Sequence, residues 1–213
     1  MAQKERFTVK AKNVGRQNVS KNRIIEFFSR THVAVPITLY FFIAISLLYF
    51  AITQEANNLT PVKIISLFFS GWLFFTLLEY VMHRWVFHMS IHTKIRKKIQ
   101  YLAHGVHHEY PKDKRRLAMP VPVSLFIAAL FFSLFWFVMK VNTFGFLPGV
   151  LVGYATYLLV HYIVHMYQPP NNFFKYLWLN HAIHHYKDNT VVFGVSSQLW
   201  DYIFGTMPNK TDA

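Results

Sequence analysis

Four stretches of this chain, residues 33–53, 62–82, 121–141 and 148–166, are apolar over a length that a soluble core does not demand. A helix rises about 1.5 Å per residue, so a bilayer core about 30 Å thick needs about 20 apolar residues. Each stretch approaches or meets that length. Pro122 and Pro148 stand near the starts of the third and fourth, where a missing N–H costs a helix nothing. The pattern predicts an all-α, polytopic membrane protein with four transmembrane helices.

Charge orders these helices. Of 22 Lys and Arg residues, eight precede the first stretch, nine lie between Met82 and Val121, and three follow Gln168. The short links at 54–61 and 142–147 contain neither residue. Basic residues in short loops stay on the cytoplasmic side. The reading is two helical hairpins with both termini cytoplasmic and a cytoplasmic helical cap from residues 84–118 and 167–213. Residues 1–31 form a basic N-terminal segment, and residues 32–213 form a single membrane domain. That basic segment is too long and polar for the start of a secretory signal, so the first apolar run is expected to be a retained anchor. A net charge of +13 would suit nucleic acid in another setting. Here the bases flank apolar runs, which fits an anionic membrane surface, and no nucleic-acid partner is expected.

The chain has no cysteine, which excludes disulfides, zinc–thiolate sites and a thiol nucleophile. It has twelve histidines, and ten of them fall into EYVMHRWVFH, HGVHH, HYIVH and HAIHH. These are His83 and His88; His104, His107 and His108; His161 and His165; and His181, His184 and His185. Positions i, i+3 and i+4 share one face of a helix, so HxxHH is expected to aim three imidazoles at one point. Glu79, one turn before His83, is placed to accept an N–H from a ligand histidine; pairing with Arg84 is the plainer alternative. The histidine-rich segments sit at the cytoplasmic ends of the second and fourth stretches and in the cap. Folding the cap onto the membrane would gather all ten around one site. Ten imidazoles are too many for one ion and suit two, and by ligand type zinc, iron, copper and nickel remain open. His32 and His92 stand alone and are read as surface residues.

These segments resemble the fatty acid hydroxylase superfamily of membrane histidine-box proteins. HGVHHEYPKDKRRLAMP and HHYKDNTVVFGVSSQLWDYIFGT are similar to its sphingolipid fatty acid 2-hydroxylase branch, and the likeness covers about residues 79–206. It implies that all ten histidines are metal ligands, and that Asp201, within QLWDYIFGT, positions ligands or cap elements. It implies two metal ions, iron in the active form with zinc as an ion a purified protein can carry, and O2 as co-substrate. The substrate is a membrane lipid, expected to be hydroxylated at carbon 2 of the acyl chain of a ceramide, dihydroceramide or fatty acid. An ornithine lipid, sterol or carotenoid is the alternative within the superfamily, and a metal or proton transporter or a zinc hydrolase the alternative outside it.

Two departures stand out. Many relatives carry a cytochrome b5 domain before the first span, whereas here a short basic segment stands there. A separate electron donor, cytochrome b5-like or a ferredoxin, is therefore expected, together with a bacterial inner membrane. Relatives also often carry a second histidine directly after HYxxH, where this chain has Met166.

Overall fold

The computed structural model describes residues 9–54 and 58–208; residues 1–8 of the basic segment and the last five of the tail lie outside them. All regular structure among the described residues is helical. The long elements are α2 (Ala34–Thr53), α3 (Pro61–Val81), α6 (Val121–Met139) and α7 (Thr143–Met166). Shorter ones are α1 (Arg23–Phe28), α4 (Lys94–Gln100), α5 (Val106–Glu109), α8 (Lys175–Tyr186) and α9 (Leu199–Ile203).

By length and composition three helical stretches could cross a membrane: Ala34–Thr53, Pro61–Phe87 and Val121–Met166. The third is a 46-residue run, and it is not one rod. A 3₁₀ turn, Lys140–Asn142, separates α6 from α7, and Lys140 has φ +51°. The chain reverses there, for Phe132 and Trp136 of α6 meet Phe144 of α7 with ring centroids 6.2 and 5.6 Å apart. The link expected at residues 142–147 is already helical, and Pro148 lies inside α7 rather than at its start. The 3₁₀ turn feeds straight into α7, so no loop is left for the proline to begin from.

α7 is the central helix. Leu147, Val150, Leu151 and Ala155 are buried in one core with Tyr40 and Ala44 of α2, Phe75 of α3 and Phe135 of α6. Gly145, Gly149 and Gly153 recur every four residues along α7 and face α3. A Cβ at Gly149 would lie 1.9 Å from the Phe68 carbonyl oxygen, and one at Gly71 of α3 would lie 2.1 Å from that of Phe146. Only glycine lets the two backbones approach so closely, the small-residue packing that apolar helices use where lipid offers no hydrophobic drive. Phe42, Ile52, Phe69, Phe126 and Phe137 point outward, each at least 60% exposed. Apolar side chains in such number on an outer face mark a surface meant for apolar surroundings.

The remaining segments pack across the ends of α3 and α7. Tyr80 meets the Thr206 hydroxyl at 3.0 Å, and the Trp200 indole donates to Thr76 at 3.0 Å, tying the tail to α3. The N-terminal segment crosses the outside of this layer. Lys12 pairs with Glu109 at 2.6 Å, Tyr186 donates to Asn13 at 2.8 Å, and Arg116 reaches Glu26 at 2.5 Å. It thereby touches both HxxHH segments at their outer ends.

Candidate metal centre

All ten histidines of the four motifs come together, in two groups of five. The first is His83, His88, His104, His108 and His184; the second is His107, His161, His165, His181 and His185. Within each group the ligand nitrogens lie within 4.8 Å of one another. The groups adjoin, with the His108 ring stacked on that of His185 at 4.1 Å between centroids.

Two features of this partition differ from the pattern expected from spacing. Each HxxHH is divided rather than aimed at one point. His104 and His108, four apart, enter the first group, while His107 between them enters the second. In the other segment His181 and His185 enter the second group and His184 the first. The two cap segments thus exchange one histidine each. His83 and His88, moreover, are five residues apart. On a regular helix at about 100° per residue they would point about 140° away from each other. The chain solves this with a π-helical turn, Met82–Phe87, closed by His88 N–H donating to the His83 carbonyl at 3.1 Å. A second π turn, Tyr101–Gly105, carries His104. π turns in helices concentrate at functional sites.

The donor set fits metal ions. Two nitrogens each about 2.1 Å from one ion lie about 3.0 Å apart at a right angle and about 3.4 Å apart at the tetrahedral angle. The Nε2 pairs His83–His104, His104–His108 and His88–His184 are each separated by 3.0 Å. In the second group the separations are 2.9 Å for His107–His161, 3.1 Å for His107–His185, 3.2 Å for His161–His165 and 2.7 Å for His165–His181. His83 and His184 hold their Nδ1 atoms against the carbonyls of Phe193 and Val191, at 2.5 and 2.8 Å. A ring donating from Nδ1 has only a lone pair at Nε2. Lone pairs converging in a buried site call for a cation between them.

Electrostatics agrees. Burial, reinforced by neighbouring imidazoles, holds His88, His104, His107, His108, His181 and His185 below the ordinary imidazole value. His184 is lowered to about 4, with burial the main cause and its bond to the Val191 carbonyl opposing. These rings are neutral at physiological pH, the form that binds metal.

Glu79 and Asp201 are buried and serve one loop. Glu79 Oε1 accepts from the backbone N–H groups of Val195 and Ser196 at 2.7 and 2.9 Å, and Oε2 accepts from the Ser196 hydroxyl. The partner expected for Glu79, a ligand histidine, is instead met by the Phe193 carbonyl. Asp201 accepts from Phe193 N–H and Gly194 N–H, each at 2.8 Å, and from the Thr206 hydroxyl at 2.7 Å. Its carboxyl is raised by burial against these three bonds. Between the two ring-binding carbonyls stands Val192 at φ +48°. A β-branched residue there costs on the order of 1–3 kcal/mol. The loop therefore holds a strained shape in order to present both carbonyls. No sequence signal marks them, since any residue has a carbonyl. Other neighbours escape sequence reasoning as well. Phe87 stacks on His104 at 5.0 Å and Tyr157 on His161 at 5.4 Å.

Two cavities meet the first group. One, about 190 Å³, lies among α2, α3, α6 and α7; it is walled by Phe75, Leu78, Phe131, Leu151 and Tyr154 and reaches Glu79 and His83. The other, about 590 Å³, is walled by Arg84, Trp85, Arg96, Thr190 and Phe193 and reaches His88.

Helices long and apolar enough to cross a membrane, together with two five-histidine groups that could hold metal ions, define a histidine-box architecture. The chain belongs to the fatty acid hydroxylase family, whose sequence profile matches residues 68–206. It is 36% identical over 139 residues to a dihydroceramide fatty acyl 2-hydroxylase of Arabidopsis thaliana, covering 65% of this chain and 59% of that one. It is 37% identical over 167 residues to the fatty acid 2-hydroxylase of Mus musculus, covering 75% of this chain and 44% of the relative. A solved structure of full-length scs7p, in which only the hydroxylase domain is visible, superposes with a TM-score of 0.80 at 29% identity. That match covers 88% of this chain and 70% of the other. The chain spans about half the length of the curated relatives it matches.

Proposed function

We propose that the protein is a membrane hydroxylase that places one oxygen atom of O2 on carbon 2 of the acyl chain of a ceramide or dihydroceramide. The observation carrying this reading is a pair of adjoining five-imidazole clusters, the first of which meets an apolar cavity within the helix bundle at His83. The similarity to named acyl 2-hydroxylases supports the choice of lipid and carbon. His83, His88, His104, His108 and His184 hold one metal, and His107, His161, His165, His181 and His185 hold the other. Bound iron supplies the activation of O2 and the oxidation of the C–H bond. The balance is acyl C–H, O2, two electrons and two protons giving acyl C–OH and water. A separate donor of the cytochrome b5 or ferredoxin class supplies the electrons.

This chain's residues supply position and dryness. Phe75, Leu78, Phe131, Leu151 and Tyr154 sheath the acyl chain and exclude water. The carbonyls of Phe193 and Val191 hold the Nδ1 protons of His83 and His184, leaving each Nε2 lone pair for a metal. Glu79 and Asp201 act through that loop, as positioning residues. Carbon position follows from how far the chain enters the cavity, since C–H bonds along it differ little chemically.

In this reading α2, α3 with its π turn, α6 and α7 are four membrane spans. Residues 1–31 form a basic arm and residues 32–213 one hydroxylase domain. The termini and the histidine layer face the cytoplasm, by the distribution of Lys and Arg, at a bacterial inner membrane. The test is expression in a sphingolipid-making host lacking its own hydroxylase, beside a His184→Ala, His185→Ala variant, with tandem mass spectrometry of the lipids. Oxygen on carbon 2 with the intact protein alone is the expected result. Oxygen on another carbon or lipid class overturns the substrate, and no oxygen in metal-loaded, donor-supplied protein overturns the activity.

A further inference from the structure

The larger cavity asks for a different ligand chemistry from the smaller one. Its walls carry two guanidinium groups, Arg84 and Arg96, and no carboxylate. Among the described residues neither arginine has a carboxylate oxygen within 4 Å, whereas Arg30 and Arg116 share Glu26 and Lys12 pairs with Glu109. Arg84 is held in place rather than loose. It donates to the Tyr80 hydroxyl at 2.7 Å and lies over the rings of Trp85 and Phe193, 5.3 and 5.9 Å from their centroids. Arg96 is exposed, and Ser90 and Thr190 add hydroxyls to the wall. Trp85, 54% exposed, stands at the rim, as tryptophan does where lipid headgroups begin. Arg84 reaches the buried Asp201 only through Tyr80 and Thr206. A fixed guanidinium without a carboxylate in direct contact therefore shares this wall with a second, and guanidinium groups bind phosphate oxygens in a forked geometry.

The two cavities flank the first histidine group, the polar one at His88 and the apolar one at His83. The His83 and His88 ring centroids are 5.0 Å apart. A lipid with its headgroup in the first and its acyl tail in the second would lay the carbons nearest its carbonyl beside the metals. The phenyl ring of Phe193 adjoins both Arg84 and this group, with Arg84 5.9 Å from its centroid and the rings of His88 and His184 5.7 and 5.6 Å away. The carboxylate of a free fatty acid sits one bond from carbon 2 and would have to lie beside the histidines rather than in this cavity. The cavity suits an anion several bonds further out.

We propose that the cavity lined by Arg84 and Arg96 is the substrate's headgroup site, and that within the ceramide class it favours a member carrying a phosphate on its headgroup over one carrying a free hydroxyl. The proposal rests on the hydroxylase reading for its orientation of the chain, and its test separates the two. Equilibrium binding of radiolabelled dihydroceramide 1-phosphate and dihydroceramide is measured on metal-loaded protein in non-ionic micelles. Both lipids are then offered together with O2 and donor, and the hydroxylated products are counted by mass spectrometry. The intact protein is expected to favour the phosphate lipid by about tenfold in binding and in product ratio. Arg96→Gln and Arg84→Gln each bring that ratio toward one, and Arg96→Lys retains most of it.

Equal binding by the intact protein, or a preference unchanged in both glutamine variants, overturns the headgroup site even if both lipids are hydroxylated. A binding preference that depends on the arginines, without any hydroxylation, upholds the site and overturns the activity. Inorganic phosphate in the millimolar range is expected to displace little bound lipid. If it competes as strongly as the lipid phosphate does, the occupant is the free anion and the headgroup assignment falls.

Discussion

The two histidine clusters are made of the same five rings' worth of chemistry, yet they are supported in different ways. The second takes His161 and His165 from a regular stretch of α7 and His181 and His185 from α8, each pair four residues apart. The first takes His83 and His88 across a π turn, and leans on a strained loop whose carbonyls hold His83 and His184. The Nδ1 atoms of His107, His181 and His185 in the second cluster are buried without a protein partner. Both cavities reach histidines of the first cluster. The second cluster is thus set by helix geometry, and the first by tertiary contacts. The difference teaches that the side of the centre facing both cavities is the side whose geometry the rest of the fold adjusts.

Ligand loss probes this comparison with the largest effect. His104→Ala and His165→Ala should each abolish hydroxylation and remove about one of the two metal equivalents, read by elemental analysis of purified protein. Loss of both metals from either variant would show the clusters to be one cooperative site. The seam beneath both comes next. Gly149→Ala forces α7 away from Phe68 of α3 and should cost about 1–3 kcal/mol, seen as a lowered Tm. Because α3 carries His83 and α7 carries His161, it should weaken both clusters alike.

Asp201→Asn isolates the loop. It should lower metal affinity about 10–100-fold, the usual effect of losing an outer-shell partner, and only for the metal of the first cluster. Chelator titration should then show one weakened and one unchanged metal; two weakened metals would remove the distinction drawn here. Acid gives the mildest probe. An imidazole lowered by burial binds fewer protons folded than unfolded, so its contribution to stability is present above about 6.5 and lost as pH falls below it. For His184 the loss runs from about 6.5 down to about 4. In metal-free protein, the histidine NMR signals of His184 should titrate at about 4. Titration of His184 at the ordinary imidazole value would contradict its burial in the cluster.

Much of this was legible beforehand. The ten histidines needed no structure to be singled out, because their number and grouping exceed what one ion or a packed core would use. The apolar runs announced the long helices, and the two prolines lay near helix starts, although Pro148 proved internal once the link before it was helical. Glu79 and Asp201 were also visible, but their target was not. A carboxylate one turn from a histidine is a natural partner for it by spacing alone. The true donors to them are backbone N–H groups more than a hundred residues away for Glu79, and seven or eight residues away for Asp201.

The sequence by itself determined the element types, their apolar lengths, and the chemical identity of the donors. These depend on residues near one another along the chain, and helical periodicity and hydropathy act over that range. The tertiary structure decided which ring joins which cluster. His107 and His108 are neighbours on one helix and enter different groups, since each turns to the partners lying across from it. The π turn and the left-handed Val192 belong to the same category. Each has a local cost that short-range preference would avoid, and each is held because contacts distant in sequence over-determine it.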